Sequence, residues 1–445
     1  VQQRLEIKLD DRISERFFDC VHCGLCLGQC PTYSETGDEN NSPRGRIYLM
    51  RGLHEGRLAP SDPVLRHLDL CLDCRACETA CPSGVRYGSL IESMRGRLAA
   101  AGQARQTVSR SLADHFLEKF MYEVFPYPEK LNRWLWLAKM GQAIGLNAFL
   151  HSSGLIKLLP DKLQKMESML PPEIETCDPL PLHAKPAGKV RARVALFRGC
   201  VSESIFGPSN WAMWRVLLAN DCEVFVPRGQ TCCGAIHHHG GRQHEAQEMA
   251  RKNIDAFTAL GPDIDAYVTN VAGCGATLKE YEELLHDDPL YAPRAKDFVA
   301  RMRDINEFLA DLPLKPPTEP VPLKVTYHEA CHLCHGQQIR SQPRMLLKSI
   351  PGLELVELPE SDWCCGAAGT YNLTQPQMST RLAERKMINV DATGAEALAT
   401  ANVGCMMQLM QHARLTGRKV RVVHPIDLLD AAYGGRGSVE AIVME

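Results

Sequence analysis

Sixteen of the 19 cysteines in this 445-residue chain fall into spacing patterns that imply metal chemistry. The first pattern is Cys20-x2-Cys23-x2-Cys26-x3-Cys30-Pro31. It recurs as Cys71-x2-Cys74-x2-Cys77-x3-Cys81-Pro82, displaced by 51 residues at every cysteine. Three cysteines at this spacing form a tight loop that wraps three corners of an Fe4S4 cube, and the fourth corner takes a cysteine from the other run. The proline ends the loop and turns the chain away. The expected ligand sets are Cys20, Cys23, Cys26 and Cys81 for one 4Fe-4S cluster, and Cys71, Cys74, Cys77 and Cys30 for the other. Such cubes carry single electrons and do no bond chemistry by themselves, so this segment reads as a wire. A pair of zinc sites is the alternative, but zinc knuckles are normally paired C-x2-C units with a spacer between them.

The second pattern is Cys200, Cys232-Cys233-Gly234 and Cys274, followed by Cys331, Cys364-Cys365-Gly366 and Cys405. The offsets are 131, 132, 132 and 131 residues, the mark of a duplicated domain. Adjacent cysteines share one tetrahedral zinc poorly, yet each can reach a different iron of a cluster. An iron–sulfur centre is therefore expected in at least one copy, with a structural zinc as the alternative. Cys222 has no counterpart and sits in an apolar run that reads as a buried strand. Cys334 is extra, either a fifth ligand or a spare thiol. Cys177 has no partner spacing and stays unassigned. His237, His238 and His239 follow the first Cys-Cys-Gly, and His328, His332 and His335 surround Cys331. They read either as proton-gating or acid-binding groups or as ordinary surface.

The elements that must position these residues are legible as runs. Val194–Phe197 ends just before Cys200, and Val325–Tyr327 ends near Cys331. Residues 221–227 and 353–359 precede the two Cys-Cys-Gly motifs. Ala266–Thr269 and Ala397–Thr400 lead to Gly273-Cys274 and Gly404-Cys405. Helical stretches separate them, so each copy reads as strand–helix units with cysteines just past strand ends, where α/β sheets bind ligands. Near the first cysteines, Asn41-Ser42-Pro43-Arg44-Gly45-Arg46 reads as a helix start with Ser42 as cap and Pro43 at the first turn. The alternative gives Arg44 and Arg46 contacts to cluster sulfurs or to a partner's carboxylates. Residues 86–124 read mostly as helix, interrupted by Pro126 and Pro128. A second helix then carries Leu131, Trp134, Leu135, Trp136, Leu137 and Met140, which reads as core or a subunit contact, with an interfacial membrane helix as the alternative. Prolines 171, 172, 179, 181 and 186 mark a linker, and a second Pro-rich link at 313–322 joins the copies.

The expected fold class is α+β, a helical ferredoxin-like domain with two 4Fe-4S clusters (1–105), a helical connector and linker (106–190), and a duplicated α/β Cys-Cys-Gly domain (191–318 and 319–445). Composition agrees with a soluble globular chain, at 45% hydrophobic and 23% charged residues. A net charge of −3 gives no electrostatic case for nucleic acid. No run of 18 apolar residues suggests a membrane span, and residues 1–30 lack a signal-peptide pattern. An odd cysteine count in a large chain argues against a disulfide framework. The expected location is the cytoplasm, with peripheral membrane contact as an alternative.

Taken together, these motifs resemble the glycolate oxidase iron–sulfur subunit family. The resemblance spans nearly the whole chain and rests on Cys20-Val21-His22-Cys23-Gly24, residues 42–49, residues 77–87 and Cys364-Cys365-Gly366-Ala367-Ala368-Gly369-Thr370-Tyr371. The wider architecture is similar to lactate-utilisation proteins, the anaerobic glycerol-3-phosphate dehydrogenase C subunit and heterodisulfide reductase subunits. The resemblance implies a complex in which a partner flavoprotein, holding FAD, oxidises glycolate or a related 2-hydroxy acid. This chain would pass the electrons on to a quinone or another acceptor. In the heterodisulfide reductase relatives such domains hold non-cubane clusters with five cysteines; here each copy has four at the matching positions. Two other readings are a disulfide or quinone reductase acting at a Cys-Cys-Gly cluster, and a zinc-stabilised docking scaffold. No Gly-x-Gly-x-x-Gly fingerprint follows a strand, so no built-in flavin site is expected.

Overall fold

Ser42 begins the helix Pro43–His54 as a cap, its hydroxyl accepting the Gly45 N–H at 3.0 Å with Pro43 in the first turn. This helix packs against the helix Tyr87–Ala100, and with Asp62–Asp69 they build the core that carries both cysteine loops. The structure, a computed structural model of the chain, describes residues 7–102, 112–143, 153, 158, 160–171 and 177–435. The helical expectation for 86–124 is met by Tyr87–Ala100 and Leu112–Glu123, and residues 103–111 lie outside the described residues.

Two sheets follow. The first contains β1 (His183–Ala184), β2 (Ala192–Phe197), β3 (Cys222–Phe225), β4 (Ala266–Thr269) and β5 (Met302–Asp304) in the order β1-β3-β2-β4-β5. The second contains β6 (Lys324–His328), β7 (Glu354–Val356), β8 (Ala397–Thr400) and β9 (Arg421–Val423) in the order β7-β6-β8-β9. Without the antiparallel β1, the two orders are the same, and every other pairing is parallel. The register repeats as well: Phe197 lies opposite Thr269, and His328 lies opposite Thr400. The cysteine periodicity thus reports a true structural duplication. The Pro-rich stretch before the first copy is more than a linker, since His183 and Ala184 pair with Phe225 and Val224 as an edge strand.

The copies are not separate beads. One apolar cluster joins Val194, Leu196 and Val224 of the first to Val325, Tyr327 and Leu347 of the second. The helix Gly207–Ala219 lies along Pro425–Ala432, with Arg215 bonded to Asp430 at 2.6 Å. The tryptophan-bearing helix Pro128–Ala143 splits by face. Leu131 and Leu135 are buried in the cluster that contains Cys200, Cys232 and Cys233, whereas Trp134, Trp136, Leu137 and Met140 are exposed.

Gly366 shows why the Cys-Cys-Gly glycine is needed. Its φ is +83°, and a Cβ there would come within 2.6 Å of the Ser379 carbonyl oxygen. Gly234 has the same left-handed backbone, but its nearest neighbour, in Ala246, would be 3.3 Å away. Both alanine substitutions carry a left-handed strain of roughly 1–2 kcal/mol. Gly366→Ala adds a backbone clash, so its thermal unfolding midpoint is expected to fall further than that of Gly234→Ala.

Candidate metal centres

The eight cysteines of the two runs separate by depth. Cys20, Cys26 and Cys81 are half-buried and Cys23 is exposed, while Cys30, Cys71, Cys74 and Cys77 are buried. Cys30, Cys71, Cys74 and Cys77 line one open space together with Arg46 and Tyr87. The Tyr87 hydroxyl donates to Cys71 Sγ at 3.5 Å. Burial pushes the Cys74 and Cys77 thiols well above their usual range, and neighbouring thiols add to this. A set of thiolates in such a place needs positive charge beside it. Arg46 supplies some. Its side chain is fully buried, it bonds the His67 carbonyl at 2.7 Å, and its guanidinium lies 4.0 Å from Cys30 Sγ. Burial opposes its charge, yet Cys71, Tyr87 and Cys30 hold it protonated. So both readings of the 41–46 motif apply, since it starts a helix and also aims Arg46 at the cysteines. Arg44 instead pairs with Glu39 at 2.6 Å and donates to the His22 carbonyl, bracing the first loop.

The repeat cysteines converge at the carboxyl ends of their strands. Cys200 follows β2, Cys232-Cys233 follow β3, and Cys274 follows β4, around the point where strand order reverses. Cys200 Sγ lies 3.3 Å from Cys232 Sγ, and Cys233 is hydrogen-bonded to Cys274. In the second copy Cys331 pairs with Cys364, and Cys365 with Cys405. Cys222 is buried in β3, where burial pushes its thiol up to about 12, as a core residue. Cys334 is buried with its thiol on the carbonyls of Glu329 and Cys331, which does not support a role as fifth ligand. Cys177 is exposed and lies against Gly207.

What the sequence did not reveal is how closely these sites approach one another. Cys74 and Cys364 share one apolar cluster with Leu72, Trp363 and Tyr371, and Cys331 packs on it. The two repeat sites are joined in turn by Asn402. Its Oδ1 accepts the Gly273 N–H at 3.1 Å, beside Cys274, and its Nδ2 donates to Cys405 Sγ at 3.3 Å.

The histidines are not ordinary surface. His237 and His238 are buried and His239 nearly so. His238 bonds Glu92 at 3.1 Å, His239 bonds Glu92 at 2.8 Å and faces Asp73 at 3.3 Å, and His332 reaches the Asp73 carbonyl at 3.0 Å. Arg75 sits among the carboxylates, 3.0 Å from Glu92 and in short contact with Glu280. Both Asp73 and Arg75 lie in the second cysteine loop and have positive φ, 53° and 61°. The network therefore clamps that loop to both repeats. Burial alone would lower the His239 pKa, but Asp73 and Glu92 outweigh it and raise the value to about 9. A group raised in the folded state stabilises fully below its unfolded value near 6.5. That contribution is lost as pH rises through about 9. The difference in unfolding midpoint between the parent and His239→Asn is expected to be largest near pH 6 and to shrink through that window.

Comparison with known proteins follows the same division. Residues 16–85 match a 4Fe-4S dicluster domain, 194–279 and 325–410 each match a cysteine-rich domain, and 113–170 match the linker region of the glycolate oxidase iron–sulfur subunit. The chain is 39% identical to the probable glycolate oxidase iron-sulfur subunit of Bacillus subtilis (strain 168), over 98% of both chains. The chain belongs to the glycolate oxidase iron–sulfur subunit family. It is also 33% identical to the glycolate oxidase iron-sulfur subunit of Escherichia coli (strain K12), over 93% of each chain. Its fold is similar to that of a hypothetical protein from Helicobacter pylori, with a TM-score of 0.53 at 9% identity, covering 96% of this chain and 74% of that one. As in the sequence-based expectation, a ferredoxin domain precedes two cysteine-rich domains. No helix among the described residues is long and apolar enough to cross a membrane.

Proposed function

We propose that this chain is the electron-transfer subunit of a flavin-dependent glycolate or related 2-hydroxy-acid dehydrogenase complex, working in the cytoplasm. A partner flavoprotein with FAD takes two electrons from the substrate, and this chain accepts them singly and passes them to a quinone or other acceptor. In this reading Cys20, Cys23, Cys26 and Cys81 hold one 4Fe-4S cluster, and Cys71, Cys74, Cys77 and Cys30 the other. Cys200, Cys232, Cys233 and Cys274, and Cys331, Cys364, Cys365 and Cys405, hold the repeat centres. The observation that carries it is the shared cluster of Cys74 and Cys364. It extends the series from an exposed cysteine set, through a buried one, into the duplicated domain. An electron that enters at the surface then meets centres at each stage without crossing solvent.

Iron, sulfide and zinc content of the anaerobically purified chain tests this. About 12 or 16 irons, at four per cluster, support electron passage into the repeats. About 8 irons with zinc would instead make the repeats a docking scaffold. Co-purification of a flavoprotein that is reduced by glycolate, and reoxidised only when this chain is present, tests the complex.

A further inference from the structure

The two repeats share topology, register and four cysteines, but one of the buried positions at which they differ lies beside the cysteines. At the last residue of the first central strand, the first copy has Phe197 and the second has His328. His328 is fully buried. Its Nδ1 bonds the Ser361 carbonyl at 3.0 Å. A carbonyl can only accept, so Nδ1 carries the proton. In the neutral ring Nε2 is then a bare lone pair. Nε2 is buried with no hydrogen bond of normal geometry, and the Cys365 thiol is the side chain that faces it. One ring nitrogen of His328 and the sulfurs of Cys365 and Cys405 lie within 4.8 Å of one another. Since Nδ1 is turned to Ser361, that nitrogen is Nε2.

The donor chemistry narrows what this arrangement can be. If the cysteines are thiolates bound to metal, they have no proton to offer Nε2. A lone pair aimed at two sulfur lone pairs is costly unless a cation lies between them. Metal-ligating histidines characteristically donate their other ring N–H to a backbone carbonyl or carboxylate, as Nδ1 does here. The fit of a metal is therefore read from a buried orphan nitrogen, a proton fixed on the far side of the ring, and two adjacent sulfurs.

The geometry points to His328 Nε2 as a nitrogen ligand, with Cys365 and Cys405, to the metal centre of the second repeat. This rests on the reading that the second repeat holds metal. The centre then has two unlike poles. Cys331 and Cys364 form the pole beside Cys74, all sulfur, and His328 with Cys365 and Cys405 forms the other. The first repeat offers four sulfurs and a phenylalanine. Both repeats keep four thiolates, so His328 adds a neutral nitrogen donor to the second centre without removing a sulfur. The two repeats are accordingly unequal as ligand sets despite their common fold.

Anomalous diffraction at the iron and zinc edges from crystals of the anaerobically purified full chain tests the ligand directly. A metal about 2.1 Å from His328 Nε2 is the expected result. Metal bound to the second repeat's cysteines with Nε2 at hydrogen-bond distance from sulfur overturns the inference, leaving the electron-transfer reading intact. Absence of metal from the second repeat overturns the inference together with the reading that this repeat holds metal. In solution, protein labelled with 15N-histidine is expected to show nitrogen hyperfine coupling at one iron centre. His328→Phe, which copies the first repeat, should abolish that coupling. His328→Gln, which keeps a polar group in the pocket, should also abolish it. Coupling unchanged in both variants overturns the assignment.

Discussion

Cys74→Ala is expected to cost the anaerobically purified chain about four irons, the content of one cube. The signal of the exposed cluster should persist. Cys74 lines the buried space with Cys30, Cys71 and Cys77, and it also belongs to the apolar cluster that contains Cys364. Its loss therefore removes a ligand at the place where the buried cysteine set meets the cysteines of the second repeat. In the proposed complex with a flavoprotein, turnover from substrate to acceptor should fall to background, while that partner's own reduction by substrate continues. Retained turnover with those irons missing would mean that electrons reach the acceptor without passing the Cys74–Cys364 contact. Cys222→Ala is the control. That thiol is buried in β3, away from either cysteine set, and its removal should leave the iron content unchanged.

Arg75→Met is expected to destabilise the folded chain by about 3–5 kcal/mol, the range for breaking a buried ion pair by removing one partner. Arg75 is 6% exposed and faces Glu92, Asp73 and Glu280. Without it, Glu92 is left buried with only His238 and His239 to balance it. The change should show as an earlier denaturant midpoint followed by cluster absorbance, because the network joins the second cysteine loop to both repeats. Adding Glu280→Gln should recover part of the loss, since the two residues are in contact and their effects do not add. Full additivity would mean that the short contact contributes nothing in solution.

Metal chemistry was the part most open to sequence reasoning, because ligand spacing in a short loop is a local property. Cys20 to Cys30 and Cys71 to Cys81 each lie in 11 consecutive residues, so chain geometry restricts where their sulfurs can go. The duplication was also readable, since near-equal offsets at four cysteines require near-equal lengths of chain between them. Strand positions followed from short apolar runs. The histidines were not legible in this way. His237–His239 look like surface in isolation, but His237 meets the Tyr122 carbonyl, and His238 and His239 meet Glu92 and Asp73 more than 140 residues earlier. Arg46 is similar, because a helix-start motif does not say that its guanidinium ends beside Cys30.

Local spacing was enough to place four cysteines in each loop, to show that the second module is duplicated, and to put its cysteines at strand ends. Those properties depend on neighbours in the chain or on repetition along it. The order of the cysteine sets in space came from long-range packing alone. The contact of Cys74 with Cys364, the Asn402 bridge between the repeats and the orphan Nε2 of His328 all join residues far apart in sequence. Such contacts arise from how two sheets and a helical domain pack over shared apolar surface, and no local spacing encodes that packing.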